Sequence, residues 1–438
     1  MAACVIRLLA FLVAIGVMVM KSSAQDDFDR PPIAYSLTEP DNPVARLQTA
    51  IDDGSVRLEF QEPYGYLKSV LTALEVPVAS QMLVFSKTSL QRHRISPRTP
   101  RAIYFNDDVS IGYCRSGDAV EVAVADPQLG TVFYTLDQAP QDRPLFVRQT
   151  DNCLLCHGGS QTRGVPGHLV RSVYPDSTGQ PMLASGSYRV DHATPLKHRW
   201  GGWYVTGTHG EQTHLGNLTY RTRPNGDGPG ETTGLNVTDV TGRITSSGYL
   251  SPHSDLIALM TMEHQAGGHN VLIRAAYDVR SALYREDALN RELKEPEDHR
   301  WDSTNTILNS AADSLVKYFL FAGEAPLTAP LQGTSSFAAE FAARGPRDAA
   351  GRSLREFDLQ TRLFRYPCSY LIYSDSFDAL PADLRERFWA KLDDVLSGRN
   401  EGQEFVHLSG EDRAAIRAIL AATKPGAPAK SWSALVTQ

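Results

Sequence analysis

The feature that most constrains this 438-residue chain is the run Cys153-Leu154-Leu155-Cys156-His157. Two thiols at C-x-x-C spacing with an imidazole directly after them admit few chemistries. A thioredoxin-like redox pair would follow a strand and open a helix. Here Thr150-Asp151-Asn152 precede the first Cys, and Gly158-Gly159 end any helix at once. A zinc site needs further ligands at close spacing, and no second C-x-x-C exists. C-x-x-C-H is the attachment pattern of c-type haem. Its thiols reach the two vinyl groups of one porphyrin, and the adjacent imidazole comes beneath the iron as the proximal ligand. Cys153 and Cys156 are therefore the expected covalent attachment points, with His157 as iron ligand and one haem c as cofactor.

The N-terminus agrees with that chemistry. Arg7 precedes an apolar run over 8–20, which is short for a bilayer span, and small residues stand at Ser22 and Ala24. This reads as a secretory signal peptide over 1–24, with the mature chain beginning at Gln25. Export to the bacterial periplasm is the expectation, with no transmembrane span after cleavage. Lys and Arg number 43 against 50 Asp and Glu, a formal charge of −7, so a nucleic-acid partner is not expected. A periplasmic redox partner is.

The segment TDNCLLCHGGSQTRGVPG (150–167) resembles the haem-binding stretch of bacterial c-type cytochromes. PRAIYFNDDVSIGY (100–113), RWGGWYVTGTHG (199–210) and RLFRYPCSYLIYS (362–374) are similar to a family of large exported bacterial proteins with one C-x-x-C-H, a family that supplies no catalytic assignment. The wider likeness is scattered over about two thirds of the chain. Small cytochromes c place a Met ligand shortly before the C-terminal helix. The last Met here is Met262, 176 residues from the C-terminus.

The pattern along the chain predicts an α+β fold. A small antiparallel β region lies before and after the haem motif, and the C-terminal half is mainly helical. Four regions are read: the signal over 1–24, an N-terminal α+β region over 25–150, a loop-rich haem region over 151–250, and a helical region over 251–438. Helices are expected over 42–53, with Asn42 as cap, and over 66–74. Strands are expected over 102–105, 120–124 and 132–136, then 202–206 and 215–219. The Gly-rich 225–230 reads as a turn. Ser254 or Asp255 caps a helix over 256–265, which Gly267-Gly268 separate from another over 270–293. Helices over 305–321, 380–396 and 410–422 follow, the last capped by Ser409. Residues 325–352, rich in Ala, Pro, Gly and Ser, read as a linker or surface excursion.

The group opposite His157 sets the chemistry, because a strong sixth ligand favours electron transfer and an open position permits binding or catalysis. Candidates are Met182, Met260, Met262, His168, His192, His198, His209, His214, His253, His264 and His269. His264 leads: Leu256, Met260 and His264 recur every four residues on one helical face, and an imidazole on that apolar stripe needs a partner. Iron is one such partner; a backbone carbonyl in a protein core is the other. His209 and His214, beside Trp200 and Trp203, and the loop residue Met182 are the alternatives. Glu263 is a candidate proton shuttle or a plain solvated residue. Lys87, Arg92, Arg94, Arg98 and Arg101 form either a solvated basic loop or a clamp for haem propionates. Cys114 and Cys368 remain as thiols in an oxidising compartment, and a disulfide between them is expected.

Electron transfer by haem iron is the leading function. A haem enzyme of oxidase or peroxidase type and a haem-based sensor are the alternatives. After cleavage the chain would be several times the ~100 residues of a small domain, more than a simple shuttle needs.

Overall fold

A computed structural model describes residues 28–222 and 235–428. The expected signal and its cleavage point, and the Gly-rich turn over 225–230, lie outside the described residues. The α+β expectation holds: a seven-stranded antiparallel sheet is followed by a mostly helical C-terminal half.

Helix α1 (Pro43–Asp52) starts where Asn42 accepts hydrogen bonds from the Val44 and Ala45 amides, and it buries Val44, Leu47 and Ile51. Helix α2 (Leu67–Ala73) buries Leu67, Val70 and Leu71. The sheet is then laid down as β1 (Met82–Val84), β2 (Arg101–Phe105), β3 (Val109–Tyr113), β4 (Ala119–Asp126), β5 (Gly130–Asp137) and β6 (Phe146–Arg148). These pair as sequential neighbours. The one-turn helix α3 (Leu154–His157) carries Cys156 and His157, with Cys153 at its N-cap. Strands β7 (Arg171–Val173) and β8 (Ser187–Arg189) make a separate hairpin, and β9 (Trp203–Tyr204) returns to pair with β1, completing the sheet. The loop-rich region thus contributes a strand to the N-terminal sheet. Residues 215–219, expected as a strand, form turns, and Asn217 there has a positive φ of 66°.

Helix α4 (Leu256–Leu293) is capped by Asp255, which accepts from the Ile257 amide. It runs 38 residues without interruption, so the expected break at Gly267-Gly268 does not occur. The glycines serve close approach instead. A Cβ on Gly267 would lie 2.1 Å from the Tyr318 hydroxyl, and one on Gly268 would lie 2.3 Å from Leu371. Helix α5 (Asp302–Phe319), which carries Tyr318, packs along that flank.

The stretch read as a linker holds α6 (Phe337–Ala343), whose Phe337 and Phe341 are buried in an aromatic cluster with Phe364 and Tyr370. Composition alone hid those two rings. Residues 370–373 form a single 3-10 turn. Helices α7 (Asp375–Asp378), α8 (Ala382–Leu396) and α9 (Gly410–Thr423) close the fold, the last opening with a capping box between Ser409 and Asp412. One continuous hydrophobic core joins residues from Phe28 to Leu420. No helix among the described residues is long and apolar enough to cross a membrane.

The expected Cys114–Cys368 disulfide is not formed; both thiols are free and buried. Cys114 directly follows β3, near the charges of Arg101, Glu121, Arg94 and Asp118. Cys368 lies in the C-terminal half, its thiol pushed up to about 12 by burial alone. Each behaves as a small apolar core residue in its own setting.

Candidate haem site

The site is built on one face of the sheet. Ser110, Ala123 and Phe133 are successive cross-strand partners, so their side chains share a face. Ile103, Gly112, Glu121 and Thr135 form the next row. Helix α3 sits against this face, with the His157 ring 4.9 Å from that of Phe133. Cys153 is half-buried and Cys156 exposed. Leu155 between them is 73% exposed.

The segment after α3 folds back on it. The Nδ1 atom of His157 lies 3.0 Å from the carbonyl oxygen of Gly167. The Gly167 amide donates in return to the His157 carbonyl at 2.8 Å. Thr162, fully buried, directs its hydroxyl at the carbonyls of Val165, Gly159 and His157. A carbonyl can only accept, so Nδ1 carries the ring proton and Nε2 is left with its lone pair. Among the described residues Nε2 has no hydrogen-bond partner. Burial lowers the pKa of His157, with the Gly167 carbonyl working against the shift, so the ring is neutral. That is the protonation state a metal-binding imidazole requires. Burial also raises the Cys153 thiol to about 11.

Of the five basic residues read as a clamp, Arg101 alone comes to this face. Its guanidinium covers Gly112, where any Cβ would fall 2.1 Å from a guanidinium nitrogen, and it is paired with Glu121 at 2.5 Å. The charges of both are felt at Cys153 and His157. Arg94 binds Asp118, Arg98 reaches the Gly242 and Arg243 carbonyls, Arg92 is exposed, and Lys87 lies near Asp176.

His264 has a core environment. Its Nε2 lies 2.7 Å from Ser369 Oγ and its Nδ1 3.0 Å from His192 Nδ1, and its ring stacks on Phe321 at 4.2 Å. Both nitrogens are engaged, and His157 is not among its neighbours. Burial holds its pKa well below the usual imidazole value and that of His192 down at about 4. His209 and His214 pair edge to face at 4.8 Å beside Trp200. His214 Nδ1 accepts from the Gly216 amide, which puts its proton on Nε2 and leaves no lone pair there. Met182 is half-buried in the loop before the 3-10 turn Leu183–Ser185. His198 stacks on Tyr188 at 4.4 Å, and His253 is half-buried. Met260 is buried in the core.

Met262 reaches the sheet face, its Sδ 4.0 Å from Ser110 Oγ. His168 follows Gly167 directly; its Nε2 is buried without a partner among the described residues, and its ring lies 5.7 Å from that of His269, which is bonded to the Asp107 carbonyl. Glu263 is no solvated residue: it is fully buried and ion-paired to Arg199 at 2.8 Å, its carboxyl raised by burial to about 7 against the pull of Arg199.

Sequence reasoning passed over Phe133, Glu121 and Asn270. Phe133 and Glu121 were legible only as strand residues, and Asn270 only as the first residue of the helix expected over 270–293. Among the described residues no group of three or more His, Cys, Asp or Glu is placed to hold a metal ion. A haem site of this kind draws one nitrogen from its C-x-x-C-H segment, so it calls for no such group. Two open grooves, of about 830 Å³ beside α8 and 780 Å³ between α2 and α6, are lined by no residue of the motif. Comparison of the chain with protein-family models, with curated proteins and with solved structures finds no match.

Proposed function

We propose that this chain is an exported, periplasmic c-type haem protein that transfers electrons to or from a redox partner in the same compartment. One haem is bound covalently by Cys153 and Cys156, with His157 as the proximal ligand. The observation that carries the reading is the hydrogen bond from His157 Nδ1 to the Gly167 carbonyl, which leaves Nε2 with a free lone pair beside two free thiols. The residues present fit the group. The thiols sit on one helical turn at the surface, and the half-exposed apolar Ile103 and Ala123 lie on the adjoining sheet face. Haem supplies one-electron exchange at its iron. The chain's own residues supply the rest: α3 holds the thiols one turn apart, Gly167 fixes the imidazole, and Arg101 with Glu121 sets the local charge. The test is a spectrum of protein produced with a c-type maturation system, oxidised and then reduced. Sharp visible bands that develop on reduction support the reading, and protein that emerges colourless overturns it.

A further inference from the structure

We propose that Asn270 is a positioning residue for the proximal imidazole, acting through a single peptide group; the inference rests on the haem reading above. Asn270 lies on α4, 5% exposed. Its Oδ1 accepts from the His168 amide at 2.8 Å, and its Nδ2 donates to the His168 carbonyl at 2.7 Å. The amide it binds belongs to the peptide unit whose carbonyl is that of Gly167. A peptide unit is planar, so fixing its N–H fixes its C=O. That C=O is the acceptor for His157 Nδ1. The chain of contact therefore runs from α4 through Asn270 Oδ1, across one rigid peptide, to the imidazole. Hydrogen bonds linked through one group also polarise each other, which makes the Gly167 oxygen a stronger acceptor.

Two further features belong to this arrangement. A Cβ on Gly167 would lie 2.3 Å from Asn270 Oδ1, so only glycine lets the amide approach. The unbroken passage of α4 through Gly267 and Gly268 is what carries Asn270 to this point. Thr162 braces the same loop from within, its hydroxyl directed at the His157, Gly159 and Val165 carbonyls and not at the Gly167–His168 peptide. The Asn270 carboxamide thus orients the ring from outside the loop, as outer partners orient metal-bound histidines.

The experiment uses the full-length haem-loaded protein and follows solvent exchange of the His157 Nδ1 proton by NMR, together with the midpoint potential. Asn270→Ala should speed that exchange by about tenfold, the factor expected for one lost hydrogen bond. It should also raise the potential, because a weaker Nδ1–H···O=C bond makes the imidazole a poorer electron donor to oxidised iron. Asn270→Leu, which fills the space without an acceptor, should do the same. Asn270→Asp keeps an acceptor for the His168 amide and should retain slow exchange. A merely structural role would lower thermal stability and leave exchange and potential at wild-type values; that result in Asn270→Ala or Asn270→Leu overturns the proposal. Where neither folds, Asn270→Asp decides, with fast exchange as the overturning result. Wild-type protein without covalent haem overturns the underlying reading and this inference with it, whereas loaded protein with unaltered exchange overturns this inference alone.

Discussion

His157 and Gly167 hold each other twice: the imidazole Nδ1 donates to the Gly167 carbonyl at 3.0 Å, and the Gly167 amide donates to the His157 carbonyl at 2.8 Å. The chain from His157 to Gly167 is closed into a loop by this exchange, with the Thr162 hydroxyl at its centre. Thr162→Val keeps the shape and deletes the hydroxyl, leaving buried carbonyls short of a donor. The expected loss of stability is about 1–3 kcal/mol, read from chemical denaturation. A midpoint unchanged within error would show that the loop is held by other means.

The glycine pair of α4 makes a second prediction. In an exposed helix Gly267→Ala would gain about 1 kcal/mol from helix propensity. Here the new methyl meets the Tyr318 hydroxyl, which is buried and bonded to the His264 carbonyl at 2.8 Å. Overpacking of this kind costs about 1–3 kcal/mol. The clash wins, and thermal melting should show a net loss; a rise in Tm would contradict the packing described.

How far the fold could be read in advance follows from the range of the signals. Asn42 and Ser409 cap their helices as expected, because a cap is decided within four residues. Of the strands before the motif, β2, β4 and β5 were legible as β-rich runs between turn signals, whereas the three-residue β1 and β6 were not. The continuity of α4 was not, because it depends on Tyr318 and Leu371, which come from distant positions. Phe337 and Phe341 were masked by an Ala-, Pro- and Gly-rich setting. At the site, Cys153, Cys156 and His157 stood out by spacing. The His264 environment did not: helical period places a residue on a buried face and is silent on whether that face meets a cofactor or the core made by His192, Ser369 and Phe321.

The buried histidines set a pH dependence. His192 and His214 are held by burial at about 4 and about 3, below the ordinary imidazole value of 6.5. Both are neutral when folded and take up a proton more readily when unfolded. Between pH 6.5 and 4 the unfolded chain binds more protons, so stability is lost as pH falls through that window. Each such group contributes a slope of about 1.4 kcal/mol per pH unit there. His214→Asn should flatten the dependence by about one proton, and an unaltered slope would contradict the buried, neutral assignment.

The two remaining thiols give a fourth prediction. Cys114 and Cys368 are buried and free. Alkylation of native protein should leave both unlabelled, and alkylation after denaturation without reductant should label both. A pair that labels only after reduction is a disulfide, and would show that the two halves of the chain are tied together in solution.

The central claim is covalent attachment at the C-x-x-C-H turn, and the most direct measurement is the intact mass of denatured full-length protein made with a c-type maturation system. The account predicts the mass of one haem added to the wild-type chain, surviving denaturation, and its loss in the Cys153→Ala, Cys156→Ala double variant. A wild-type chain at its unmodified mass, or a double variant that still carries the addition, would contradict it.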